Sequence, residues 1–236
     1  MNQFNYINIR ICSFLGIIYV MYPNKSLEGN KMASIYDMKP QFQNLLRPIV
    51  NQLAKIGITP NLVTASAILL SMTTGVLLTL FHQHPYILVL LPIIMFVRMA
   101  LNAMDGMLAK EHQMQSKLGN ILNELGDVVS DAFLFLPFAL LPGFSAPLIV
   151  AIVVCSIISE MTGVLGVVIG ASRRYDGPMG KSDRAFIFGV LALLFLFEWM
   201  NPFWTTIILS ITLALIFVNI AVRIRNALKE ANERGF

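Results

Sequence analysis

Charge is what this sequence has least of. Only 13% of its 236 residues are Asp, Glu, Lys or Arg, 56% are hydrophobic, and the mean hydropathy is +0.71. Soluble domains carry about 25% charged residues, so this chain has too little polar surface to cover a compact domain in water. That excludes a soluble globule and makes the bilayer the natural solvent. Cysteine is equally scarce: Cys12 and Cys155 lie far apart in apolar runs, which excludes a disulfide framework and a thiolate metal site. The three histidines, His82, His84 and His112, are isolated and take no assigned role.

Six stretches are long and apolar enough to cross a membrane, given that about 20 helical residues span about 30 Å of hydrocarbon. They are 61–81, 86–104, 119–141, 147–170, 185–199 and 203–222. The fifth is short and the third carries acids. Three connections, 82–85, 142–146 and 200–202, are brief and marked by proline, and none of the 17 Lys and Arg residues falls in them. The bases gather before the first span, around the second and fourth connections, and after the last span. This positive-inside pattern places both termini and the even-numbered connections in the cytoplasm. The net charge of +4 is therefore topological and does not mark a nucleic-acid surface.

The expected fold is thus an all-α membrane protein of six transmembrane helices preceded by an amphipathic interfacial helix. Phe42, Leu45, Leu46, Ile49, Val50, Leu53 and Ile56 recur at helical spacing before the first span, with polar residues between them. Pro48 is expected to bend or interrupt that helix, and Gly57 with Pro60 to end it. The chain divides into an atypical extension over 1–31, the interfacial segment 32–60, a core over 61–222 and a cytoplasmic tail over 223–236. The apolar run 11–22 is too short to span, so translation is expected to start at Met32, with an uncleaved anchor as the alternative.

Between Arg98 and Asp131 the sequence does what a passive span avoids. At about 100° per residue, Arg98, Asn102, Asp105, Gly106 and Ala109 share one face at the end of the second span. Gly119, Asn123, Gly126, Asp127, Ser130 and Asp131 share a face of the third. Glu124, Asp127 and Asp131 would each cost about 2.5–3.5 kcal/mol at the bilayer centre, several times the 0.3–0.6 kcal/mol that one Leu or Val returns. They must face a hydrated cavity or a cation, or else serve as buried contacts between helices that the glycines bring close. Carboxylate and amide oxygens without His or Cys favour Mg²⁺ or Mn²⁺, an ion suited to phosphoryl transfer.

The run Asn102, Asp105-Gly106, Ala109-Lys110, eight residues, Gly119, Asn123, Asp127 resembles the signature of the CDP-alcohol phosphotransferases, D-x2-D-G-x2-A-R, a spacer, then G-x3-D-x3-D. The likeness extends over about four-fifths of the chain, from Lys39 to Val222. Asn replaces the first and third aspartates and Lys110 the arginine. The resemblance implies metal binding by Asn102, Asp105, Asn123 and Asp127, and nucleotide binding by Gly106, Ala109, Lys110 and Gly119. It makes Asp127 the general base for transfer of a phosphatidyl group from a CDP-alcohol, foremost CDP-diacylglycerol, to a small alcohol acceptor with release of CMP. Glu124 and Asp131 are auxiliary acids that could restore charge. Arg173, Arg174, Lys181 and Arg184, read as a loop after the fourth span, suit an acceptor phosphate or lipid headgroups, or are only the positive-inside loop. Glu160, within the fourth span, could contact them. The resemblance further implies a homodimer, phospholipid biosynthesis and residence in the inner, cytoplasmic membrane of a bacterium. Two other readings stand beside it. One is a catalytically silent relative that binds CDP-lipid, prompted by Asn102 and Asn123. The other is a cation transporter, although no repeat relates the two halves.

Overall fold

The computed structural model describes residues 35–199 and 201–235, so the upstream segment and the expected start at Met32 lie outside the described residues. Among those residues the chain is all-helical, with no strand. The helices are α1 (Ile35–Lys55), α2 (Pro60–Leu80), α3 (Leu90–Glu111), α4 (Lys117–Phe135), α5 (Ala146–Val168), α6 (Lys181–Leu196) and α7 (Pro202–Glu233). Short 3₁₀ turns, Pro85–Val89 and Leu136–Leu140, precede α3 and follow α4.

Helix starts follow local chemistry. Thr59, Ser116 and Asn201 cap α2, α4 and α7 by accepting the N–H of Leu62, Gly119 and Trp204. Proline follows the cap of α2 and α7, where its missing N–H costs nothing. Each of the six expected spans has a helix at its centre. Four helical segments, Pro60–Leu80, Tyr86–Glu111, Ala146–Val168 and Pro202–Glu233, are long and apolar enough to cross a membrane. The chain is a multi-pass membrane protein.

Three boundaries differ from expectation. α1 runs unbroken through Pro48. The carbonyl that Pro48 deprives of a helical donor belongs to Asn44, an exposed residue that water can satisfy. α7 continues past Val222 to Glu233, so most of the expected tail is helical, because no Gly or Pro interrupts it before Gly235 (φ +80°). Lys181 and Arg184 belong to the first turn of α6 and not to a loop, since the Asp183 carboxylate accepts the N–H of Gly180, the N-cap residue, at 3.0 Å and closes that turn.

From Ile49 onward, α2 packs on α3 and α4, α5 packs on α7, and α4 joins the two groups through α5. Phe135 stacks on Phe188 at 4.1 Å between ring centroids, with Phe138 edge-on, in an apolar core that includes Leu134, Ile149, Ile152 and Leu209. The opposite end of the bundle is polar inside. Arg98, Asp105, Asp131, Glu160, Arg184 and Arg223 are all buried, whereas Leu69, Val76, Ile121, Leu125, Val154 and Phe217 are exposed. Polar residues inside and apolar ones outside are what lipid as solvent demands.

Candidate functional site

Close helix approach sets the site. A Cβ on Gly75 would collide with the backbone carbonyl of Phe133, and one on Gly126 would meet Ile68 Cγ1 at 2.7 Å, so α2 and α4 lie against each other with almost no side chain between. That turns the polar face of α4 toward α3. Asn102 Nδ2 donates to Asp127 Oδ1 at 3.2 Å. One helical turn away, Arg98 Nη1 donates to Asp131 Oδ1 at 2.7 Å, and its Nη2 donates to the Asp127 carbonyl at 3.1 Å and to Asp127 Oδ1 at 3.3 Å. Asp127 Oδ2 pairs with Lys181 Nζ from the start of α6. Asp105, buried on α3, accepts from Thr64 Oγ1 of α2 at 2.6 Å.

A second shell of ion pairs surrounds these groups. Glu124 accepts two bonds from Arg173, at 2.9 and 2.7 Å, a fork geometry that fixes both side chains. Glu160 is shared by Arg173 (2.9 Å), Arg184 (3.1 Å) and Arg223 (3.2 Å), and Arg184 also reaches Asp131 at 3.0 Å. Acids and arginines thus alternate across α3, α4, α5, α6, α7 and the segment between α5 and α6. That segment is pinned on α7: Arg174 pairs with Asp176 (2.9 Å) and Glu230 (2.5 Å), Asn226 donates to Asp176, and Asn219 donates to the Pro178 carbonyl. Burial alone would lower the Arg173 pKa, yet the hydrogen bonds it donates to Glu124 and Glu160 raise it overall. For Asp176, burial pushes upward, but its bonds to Arg174 and Asn226 hold its carboxyl below the usual aspartate range.

The residues read from the sequence separate on these contacts. Asn102 and Asp127 touch, and Asp105 lies within electrostatic reach of both Asp127 and Lys181. Asn123 is exposed on α4, and Lys110 is exposed in the last turn of α3. Gly106 has open space where a Cβ would stand. Gly119 has none: a Cβ there would meet Asn61 Oδ1 at 2.6 Å, so this glycine serves close packing. Ala109 is half-buried. Glu124 and Asp131 are counter-ions to arginines, and Arg184, with 1% of its side chain exposed, is committed to Asp131 and Glu160. Glu160 does contact the basic group. Thr64 and Arg223 went unnoticed as partners: a threonine in a span ordinarily bonds its own helix, and an arginine just after a span reads as topology.

Among the described residues no three Asp, Glu, His or Cys side chains converge as a metal-holding group, and positions 102 and 123 carry amides. Asp105, Asp127 and Asn102 can offer an ion only oxygen donors, the chemistry that suits a hard divalent cation, and here Asn102 presents its Nδ2 to Asp127. Asp105, unlike Asp127, has no Lys or Arg partner among the described residues.

A multi-pass helical bundle whose α3 and α4 juxtapose an N-x2-D-G-x2-A-K run with G-x3-N-x3-D defines a class. The chain belongs to the CDP-alcohol phosphatidyltransferase family, whose profile matches residues 57–223. It is 46% identical over 197 residues to inner membrane protein YnbA of Escherichia coli (strain K12), a match that covers 83% of this chain and 96% of that protein. Family membership supports transfer of a phosphatidyl group from a CDP-alcohol.

Proposed function

We propose that the chain transfers a phosphatidyl group from CDP-diacylglycerol to a small hydroxyl acceptor in phospholipid biosynthesis, releasing CMP at the cytoplasmic face of a six-span bundle in the inner membrane. The observation that carries this reading is the hydrogen bond from Asn102 to Asp127, which joins the two halves of the motif beside buried Asp105. Mg²⁺ or Mn²⁺, when bound, would supply charge neutralisation to the diphosphate. Asp105 and Asp127, with the amide oxygens of Asn102 and Asn123, are its proposed ligands. Open space at Gly106 and half-buried Ala109 would admit the nucleotide, with Gly119 beside them and Lys110 offering its charge to the phosphates.

Asp127 is the proposed base. One of its carboxylate oxygens would accept the proton of the acceptor hydroxyl as that oxygen bonds to the β-phosphorus, while the bond from phosphorus to the oxygen of the CMP leaving group breaks. For an acceptor phosphate or lipid headgroup, Arg173 and Arg174 are partly exposed and Lys181, beside Asp127, has about a third of its side chain exposed, whereas Arg184 holds the frame. Acid-bearing α4 and short α6 would complete the six spans. α1, with exposed Leu45, Ile49 and Ile56, would lie in the interface. A homodimer belongs to the same proposal.

The second reading, a silent CDP-lipid-binding relative, draws support from the amides at 102 and 123 and the cations on Asp127. Incubating detergent-purified protein with CDP-diacylglycerol, Mg²⁺ or Mn²⁺ and a panel of alcohols separates the two. Metal-dependent CMP with one acceptor supports the transferase, and binding without CMP from any acceptor supports the silent relative.

A further inference from the structure

The pattern D-x2-D-G-x2-A-R, G-x3-D-x3-D provides four carboxylates, and this chain keeps two, Asp105 and Asp127. Two lost negative charges leave the site less able to hold divalent cations. The structure shows what meets the charge that remains on Asp127. Asp127 Oδ2 is occupied by Lys181 Nζ, and Oδ1 receives Asn102 Nδ2 and Arg98 Nη2. A second divalent ion held by Asp127 would have to displace an ammonium and lie beside a guanidinium that is itself buried and fixed by Asp131. Asp105 is placed differently. It accepts from the neutral hydroxyl of Thr64 and from the Gly106 N–H, with Lys181 only within electrostatic reach and no ion pair among the described residues.

Lys181 is well situated for the role of built-in cation. It occupies the first position of α6, whose N-terminus adds positive potential of its own. Its stem arises from a segment pinned to α7 through Asn219 and to the core through the bond of Arg184 Nη1 to the Met179 carbonyl. An ammonium is a compact point charge, closer in size to a hydrated-metal position than the planar guanidinium.

Resting on the transferase reading, we infer that Lys181 is a resident counter-cation of this site, so that the chain holds one divalent ion, centred on Asp105, and uses the Lys181 ammonium at Asp127 in place of a second. Lys181 is therefore a positioning residue for Asp127, and the site is built for fewer metal ions than its motif suggests. The replacements at 102 and 123 and the Lys181 pair form one consistent set: two carboxylates fewer, one divalent ion fewer, one fixed cation at Asp127.

The test is a count of Mn²⁺ bound per full-length chain in detergent, read from the electron paramagnetic resonance of free Mn²⁺ with CDP present. Wild type should bind one. Asn102→Asp with Asn123→Asp should also bind one, more tightly. Adding Lys181→Met to that pair should raise the count to two, whereas adding Lys181→Arg should leave it at one. Two ions in wild type or in the double variant would overturn the inference, as would a single ion in a monodisperse Lys181→Met triple variant. If that triple variant does not fold, the other two counts still decide. Parallel CMP assays keep the two claims apart: CMP release with two ions sinks the counter-cation alone, and one ion without CMP sinks the transferase reading alone.

Discussion

One nitrogen of Arg184, Nη2, stands 3.0 Å from Asp131 and 3.1 Å from Glu160, tying α4 to α5 from a position on α6 with almost no access to solvent. Glu160 in turn faces three guanidiniums, those of Arg173, Arg184 and Arg223. Glu160→Gln leaves these cations crowded and only partly compensated. Breaking a buried pair on one side costs about 3–5 kcal/mol. The expected result is a large drop in melting temperature in detergent, and a melt within a degree or two of wild type would show that the network adds nothing to stability.

Asp176 predicts a pH dependence in the segment between α5 and α6. Its folded pKa is depressed, so its contribution is complete above the ordinary aspartate value of about 3.9 and is lost as pH falls through the lower folded value. Asp176→Asn should therefore melt below wild type at pH 6, with the gap closing as pH falls below 4. A gap independent of pH would mean that the carboxylate charge is not what holds Arg174 and Asn226.

Asp127→Asn keeps the shape of the site and removes a base. General-base removal typically costs about 10²–10⁴-fold in rate, so CMP release should fall by at least that lower figure in a variant that still folds. Unchanged turnover would remove Asp127 from the chemistry. Asn102→Asp with Asn123→Asp should tighten Mg²⁺ binding by adding two carboxylates, measured by titration calorimetry. An unaltered affinity would show that neither position is a ligand.

The bundle was legible because lipid imposes length and polarity rules that sequence displays directly: each expected span has a helix at its centre, and the acids of α4 face inward with Ile121 and Leu125 outward. The motif half-sites were legible because 3.6 residues per turn fixes which of Arg98, Asn102 and Asp105 share a face. Partner choice was not. Arg184 and Lys181 lie three residues apart in one basic run, yet one is buried in the frame between Asp131 and Glu160 and the other reaches Asp127, partners that come from helices distant in sequence. Glu124 and Asp131 read as spare acids because their arginines, Arg173, Arg98 and Arg184, come from segments distant in sequence. Pro48 looked like a break because sequence does not reveal that the carbonyl it orphans is exposed.

Two glycines separate packing from ligand space. At Gly75 a Cβ would strike the backbone of Phe133, which cannot swing aside, so Gly75→Ala must push α2 from α4 and should cost about 1–3 kcal/mol. At Gly106 a Cβ would meet nothing within 4 Å, and alanine is the better helix former by about 1 kcal/mol, so Gly106→Ala should melt at or above the wild-type temperature. If the space beside Asp105 admits the nucleotide, the same methyl group should weaken CDP binding about tenfold, or about 1.4 kcal/mol, in a titration made without acceptor. A stable Gly106→Ala protein with unchanged CDP affinity would show that this opening is not where the nucleotide sits, and would leave Lys110 and Lys181 as the residues to test for phosphate contact.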